Sequence, residues 1–298
     1  ATIDIDTTTE HGFPDMENPI EEINAVTIEM DGKVYSFGVG DFDVVGVDCH
    51  PCSSETELIN QLLDLWEDLK PDIVTGWHVR FFDIPYLHNR IKHVLGAKTA
   101  KRLSPWNVIK EVQIHRQNRI QKVFNIYGIA VMDYLDLYSM FTYVNQESYS
   151  LNHISYIELG EQKLSYDEYD SISDFYKNNF QKFMEYNIKD VELVSRLEDK
   201  LKLMELAIAL AYSAKVNFED VFSQVRMWDC IIYHYLLEHN LVIPPRKVEH
   251  KSTKYEGAYV MEPVAGMHDW IMSFDLNSLY PHLICLLYTS DAADDLLC

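Results

Sequence analysis

The sequence predicts an α/β protein on three observations. Apolar runs of strand length recur through the first half, amphipathic helical stretches separate them, and turn residues mark the joints. The chain has 298 residues, enough for one large domain or two medium ones, and its 47% hydrophobic content supports a real core. It carries no apolar run long enough to span a membrane and no basic-then-apolar leader. The net charge of −22 argues against attachment to nucleic acid through the overall field, because affinity for a phosphate backbone comes from Lys and Arg. A local basic groove stays compatible with it. Five cysteines form no disulfide framework for a chain this size, which fits a reducing cytoplasm. Cys49 and Cys52 make a lone CxxC in "DCHPCSS", which reads as a surface loop without a second pair at zinc spacing.

In order along the chain, "ATIDID" reads as a strand that begins at Ala1, which suggests missing upstream sequence. "INAVTIEMDGKVYSFGVG" reads as a hairpin turned at Asp31-Gly32, and "FDVVGVDCH" as a further extended piece. "SETELINQLLDLWEDLK" has helical spacing, with Ser53 or Ser54 as N-cap and Glu57 suited to a capping box. "PDIVTGW" is a short buried strand, and "IPYLHNRIKHVLG" a helix with Pro85 in its first turn and Gly96 as its stop. The stretch from Asn107 to Tyr138 alternates around a polar turn near Arg116 to Asn118, so it reads as a long hairpin. It is also the most basic part, carrying Lys110, His115, Arg116, Arg119 and Lys122, and it is either a solvated hairpin or a nucleic-acid contact. Residues 172–215 read as helical for most of their length. A second amphipathic helix follows from Val221, ended by Pro244 and Pro245, and "YEGAYVMEPV" and "WIMSFDLNSLYPHLI" have strand character.

Asp4 and Asp6 fall two apart in a strand, so they share one face while Ile3 and Ile5 take the other. Such a pair is either a solvated edge or one wall of a metal site. Asp83 follows two phenylalanines and precedes a helix, where it is an N-cap or something more costly. Tyr186 and Asp190 lie four apart on a helix and share a face. Each of these carboxylates stands among apolar residues, where an unpaired charge is expensive. A pair of divalent cations about 4 Å apart would offset that cost and could activate water against a phosphodiester. Oxygen-only ligands suit Mg²⁺ or Mn²⁺, with Tyr186 orienting the water or the scissile phosphate.

These motifs resemble the three exonuclease motifs of family B DNA polymerases, most closely the replicative polymerases of T-even bacteriophages. "DID" resembles the first motif, "GWHVRFFDIPY" the second and "YNIKD" the third. "AKRLSPW", "ESYSLNHIS" and "FSQVRMWDCII" are also similar to stretches of that group. The resemblance covers residues 1–284. It implies a ribonuclease-H-like 3′–5′ exonuclease fold with Asp4, Asp6, Asp83 and Asp190 as ligands of two Mg²⁺ or Mn²⁺ ions and Tyr186 as the assisting tyrosine. It implies that His78 and Phe82 hold single-stranded DNA and that the basic hairpin, with Arg116, Arg119 and Lys122, helps separate primer from template. Two positions depart from the family pattern: Asp6 stands where the first motif has Glu, and His78 where the second has Asn.

"SFDLNSLYPHLI" resembles the first polymerase motif of the family. The resemblance implies that Asp275 binds both polymerase metals, that the backbone of Ser278 and Leu279 cradles a deoxynucleoside triphosphate, and that Tyr280 is the steric gate. "YEGAYV", with Tyr255 and Gly257, resembles a DNA-contacting element between the two regions. The implied organisation is an exonuclease domain over 1–202, a segment returning to the N-terminal domain over 203–246, and a palm stub over 247–284. Residues 285–298, "CLLYTSDAADDLLC", instead resemble translated sequencing-adapter DNA, an expectation that the nucleotide source checks. The parent would be a DNA-directed DNA polymerase working in the cytoplasm of an infected bacterial host, on a sliding clamp and away from membranes. This chain alone would proofread but not polymerise. The alternative is a DNA-binding module of the same fold whose chemistry Asp6 has weakened. A stand-alone RNA nuclease fits less well, because it has no use for the SLYP stretch.

Overall fold

The computed structural model describes residues 1–116, 119–165, 168–169, 172–243, 257 and 259–287. The chain divides into two units between Pro244 and Pro245. In the first, β1 (Thr2–Thr7), β2 (Ile23–Met30), β3 (Lys33–Val39) and β4 (Asp48–Cys52) form a sheet in that order. β1, β2 and β3 run antiparallel to their neighbours, while β4 joins β3 in parallel. The remaining strands are β5 (Ile73–Val74), the hairpin of β6 (Ile109–Arg116) and β7 (Arg119–Ile126), and β8 (Ala130–Val131). β5 and β8 pair in parallel. Ile3 N–H donates to Thr75 O and Thr75 N–H to Ala1 O, both at 2.9 Å, so β1 also runs parallel beside β5. β1 is therefore an interior strand, with antiparallel partners to one side and parallel ones to the other.

Alternation along β1 works as its sequence demands. Ile3 and Ile5 are buried with Val26, Ile28 and Phe37 against α1 (Glu55–Leu69) and α2 (Asp83–Leu95). On the opposite face, register sets Asp4 beside Thr27 and Thr27 beside Ser36. The next row is Asp6, Ala25 and Gly38, whose last two members are small. Beyond the short α3 (Ala97–Ala100) come α4 (Tyr134–Phe141), α5 (Leu151–Leu159), α6 (Ile172–Asn178) and α7 (Phe180–Leu201). The small row lets α7 lie close on the sheet: a Cβ on Gly38 would stand 2.7 Å from Met184 Sδ. Met184 and Phe183 bury there with Ala25, Phe42 and Phe175. The far side of α7, at Leu193, Val194 and Leu197, packs with α4, α5 and α8 (Leu203–Ala214).

Several elements differ from the sequence expectation. Only Asp48–Cys52 of the third extended piece is a strand, so the CxxC lies on an edge strand and not in a loop. Burial pushes the Cys52 thiol up to about 11, which makes it a poor nucleophile. The long hairpin ends at Ile126, and the residues from Tyr134 form α4, because Asp133 caps it by accepting from Leu135 N–H. The helical stretch from 172 breaks at Asn179 and again at Lys202, which takes φ +55. Ser54 is the N-cap of α1, and Glu57 accepts from Ser53 N–H in a variant of the expected capping box. α9 (Gln224–Glu238) ends before the prolines and buries none of its residues.

In the second unit no strand occurs among the described residues. "LYPHLICLL" instead forms α10 (Leu279–Leu287), with Pro281 in the first turn, where a missing N–H costs nothing. No helix among the described residues is long and apolar enough to cross a membrane.

Candidate metal centre

The fold brings Asp4 and Asp6 of β1, Asp83 of α2, and Tyr186 and Asp190 of α7 to one place. Asp83 does not cap its helix; its Oδ1 accepts from Ile5 N–H at 3.1 Å, which ties the start of α2 to β1. Asn187, one turn before Asp190, is fully buried, and its Nδ2 donates to Asp4 Oδ2 at 2.9 Å and to Asp6 Oδ2 at 3.1 Å. Lys163 reaches in from the segment after α5. Its Nζ stands 2.5 Å from Asp190 Oδ2 and 3.2 Å from the Tyr186 hydroxyl.

The electrostatics follow from crowding like charges out of water. Burial first, then Asp190, Asp6 and Asp83, hold the Asp4 carboxyl well above the usual carboxylate range. Burial likewise raises Asp6, against the pull of Lys163 and the Asn187 amide. Burial pushes Asp83 up to about 8 and Asp190 up to about 7, the latter against the opposing Lys163 ammonium. The Tyr186 phenol is raised by burial and by Asp190, so it stays protonated.

Whether these residues suit a divalent cation is decided by their chemistry. The donors are all carboxylate oxygens, four acids face one ammonium, and Asp190 Oδ1 is buried without a hydrogen-bond partner. As the side chains stand, no three His, Cys, Asp or Glu among the described residues enclose an ion. Three of the carboxylates already accept from side-chain donors, Asp4 and Asp6 from the neutral Asn187 amide and Asp190 from the Lys163 ammonium. The donor set fits a hard divalent ion, with Asp190 Oδ1 as the open ligand atom.

The other expected residues are distributed as follows. His78 is exposed and takes φ +71, a left-handed conformation that Asn and His tolerate better than most residues. Its loop is anchored by Asp133, which accepts from His78 N–H at 3.1 Å and Arg80 N–H at 3.0 Å. Phe82 stacks on Tyr86 and lies 6.1 Å from the exposed ring of Phe13. Lys122 pairs with Glu17 at 2.7 Å. Arg116 and Arg119 face each other across the hairpin register, but their side chains and the turn at 117–118 lie outside the described residues. Tyr255 is outside them too, and Gly257 is exposed. In the second unit Asp275, Ser278, Leu279 and Tyr280 are all exposed, and Ser278, at φ +53, opens α10. Sequence reasoning missed Lys163, Asn187 and Asp133. An Asn inside the "YNIKD" motif was the one visible signal among them.

Comparison with known proteins agrees with the geometry. Residues 1–154 match DNA polymerase family B, exonuclease domain, and residues 218–288 match DNA polymerase family B. A DNA-directed DNA polymerase of Escherichia phage RB69 is 36% identical over 95% of this chain and 34% of its own length. That of Enterobacteria phage T4 is 36% identical over 78% of this chain and 26% of its own. The DNA polymerase delta catalytic subunit of Schizosaccharomyces pombe is 29% identical over 81% of this chain and 23% of its own. The chain thus spans about a third or less of these relatives. A family match over more than half of the chain, with a relative 36% identical over 95% of it, shows that the chain belongs to DNA polymerase family B and carries its exonuclease domain.

Proposed function

We propose that residues 1–202 form a 3′–5′ exonuclease that removes the 3′-terminal nucleotide of single-stranded DNA, using two Mg²⁺ or Mn²⁺ ions. The observation that carries this reading is the convergence of Asp4, Asp83 and Asp190 from three separate elements into mutual electrostatic contact. The interior β1, antiparallel to β2 and parallel to β5, supports a ribonuclease-H-like core. Divalent ions bound to these carboxylates supply positive charge to a phosphodiester and acidify water. Asp4, Asp6, Asp83 and Asp190 hold that charge in place. Tyr186, kept protonated, donates to the attacking water or the scissile phosphate. Phe82 and Phe13 offer aromatic faces to unpaired bases, and His78 lies on the loop that leads into Phe82. Arg116, Arg119 and Lys122 put cations on the hairpin that would part primer from template.

For the longer protein, the names of the relatives support template-directed synthesis of DNA from deoxynucleoside triphosphates. Asp275, Ser278, Leu279 and Tyr280 would bind metal and triphosphate there, Tyr255 and Gly257 would contact DNA, and a sliding clamp would hold the enzyme on its template. The cytoplasm of an infected bacterium is the corresponding location. We place the remaining boundaries at 203–246 and 247–284.

The test is hydrolysis of a 5′-labelled single-stranded oligonucleotide by the full chain, with Mg²⁺ and with chelator. The expected result is Mg²⁺-dependent shortening from the 3′ end that Asp83→Ala abolishes. Undiminished shortening by Asp83→Ala overturns the assignment.

A further inference from the structure

Asp4 and Asp6 need more than a strand to act together. Alternation puts both on one face, but two carboxylates so placed repel, and nothing in β1 itself fixes their rotamers. The structure supplies a fixing device from outside the strand. Asn187 Nδ2 donates to one oxygen of each. Its amide is itself held, because Asn187 Oδ1 accepts from Thr27 Oγ1 at 2.5 Å. Thr27 Oγ1 lies 2.9 Å from Ser36 Oγ. A threonine hydroxyl has one proton, and that of Thr27 is committed to Asn187, so Ser36 is the donor in the last bond.

We infer that Ser36, Thr27 and Asn187 form a buried relay whose work is to position the Asp4–Asp6 pair for metal binding. Each of the three is fully buried, where an unused polar group would cost stability. The direction of every bond is determined: Ser36 gives to Thr27, Thr27 to the amide oxygen, and the amide nitrogen to the carboxylates. Ionised carboxylates only accept, so they need the NH₂ end of Asn187. The Thr27 donor is what turns that end toward them. The row is built into the fold, since register places Asp4, Thr27 and Ser36 side by side across β1, β2 and β3. With Oδ2 of each aspartate occupied by the amide, the other oxygen of each is left available to a cation. Asn187 is thus a positioning residue, and Thr27 positions Asn187.

This inference rests on the metal reading above, so the test separates the two. The full chain, without DNA, is titrated with Mn²⁺ alone, and bound ion is read from loss of the free Mn²⁺ resonance. Melting temperature is recorded in chelator for each variant. Wild type is expected to bind. Asn187→Leu is expected to weaken Mn²⁺ binding by about tenfold, the usual scale for removing a group that orients a ligand, in a chain that still unfolds cooperatively, at a lower temperature because the buried Thr27 hydroxyl loses its acceptor. Thr27→Val is expected to weaken it in the same direction, and Thr27→Ser, which keeps the hydroxyl, to restore it. In the double variant Thr27→Val/Asn187→Leu the loss is expected to be no larger than in Asn187→Leu alone, as for two members of one chain. Wild type that leaves the resonance unchanged overturns the metal reading and this inference with it. Wild type that binds while Asn187→Leu binds equally well overturns the relay alone. Should Asn187→Leu not fold, equal binding by Thr27→Val and Thr27→Ser overturns it instead.

Discussion

Lys163 Nζ lies 2.5 Å from Asp190 Oδ2, and the pair closes one side of the carboxylate cluster. It is the one ammonium in contact with an aspartate of the cluster among the described residues. Lys163→Met leaves the buried Asp190 without its partner. Breaking a buried pair on one side is costly, here discounted because Lys163 is about a quarter exposed and Asp190 can take a proton. The expected outcome is a loss of about 1–3 kcal/mol in chelator, measured by urea unfolding. Added Mg²⁺ should recover most of it, since a divalent ion supplies the missing charge. Equal stability of the variant and the parent in chelator would contradict this.

The same crowding predicts a pH dependence. Asp4, Asp6, Asp83 and Asp190 all have folded pKa values raised above the ordinary carboxylate value. A folded state that holds its protons more tightly than the unfolded one loses stability as pH rises from the ordinary value near 4 through the folded values. Asp190 and Asp83 place the upper part of that window at about 7 and about 8. The melting temperature in chelator should therefore fall between about pH 5 and pH 8. Saturating Mg²⁺ should flatten the slope, because bound metal favours the ionised forms. Calorimetry across that range, with and without the ion, checks both parts.

Why some of this was legible in the sequence and some was not has a physical basis. Asp4 and Asp6 were visible because strand alternation is local and puts two like charges on one face. Tyr186 and Asp190 were visible through helix spacing, and Asp83 through its apolar neighbours. Lys163 lies on an irregular segment with no periodicity to mark it, and its partner is 27 residues away. Asn187 takes its meaning from Thr27, which only the packing of α7 on the sheet brings near. The break at Lys202 has neither Gly nor Pro to announce it. There the backbone N–H bonds back to Glu198 O, and the Glu198 side chain accepts from Met204 N–H to start the next helix. The stretch from Leu279 was ambiguous because a short apolar run suits a buried strand as well as a helix.

Asp6 is the site's departure from the Asp-x-Glu pattern, and its carboxylate is held by the Asn187 amide at 3.1 Å. A glutamate there reaches one methylene further from the same backbone position. Asp6→Glu is expected to raise the rate of Mg²⁺-dependent hydrolysis of single-stranded DNA by about tenfold, about 1.4 kcal/mol of transition-state stabilisation. Single-turnover rates on a labelled oligonucleotide measure it. A rate that is unchanged or lower would mean that the aspartate already sits at working distance.

β1 can present its aspartates only if the β5 segment stays against it, and Gly76, just past β5, lies close against Ile3. A Cβ added to Gly76 would stand 2.4 Å from the main-chain oxygen of Ile3, a backbone atom with no freedom to move aside. Gly76 O also accepts from Tyr134 N–H at 3.0 Å, so the strand is held from the other side by the start of α4. Gly76→Ala must therefore push β1 and β5 apart or distort the bonds of Thr75 to Ile3 and Ala1. Overpacking of this kind costs roughly 1–3 kcal/mol. Because Asp4 follows Ile3 directly, the displacement reaches the carboxylate cluster, and Mn²⁺ binding should weaken together with stability. Gly46→Ala is the control: its Cβ would meet nothing within 4 Å, although its positive φ adds a small strain of its own. It should leave ion binding unchanged. If Gly76→Ala matched Gly46→Ala in both measurements, the close approach of β1 to β5 would not be what holds Asp4 in place.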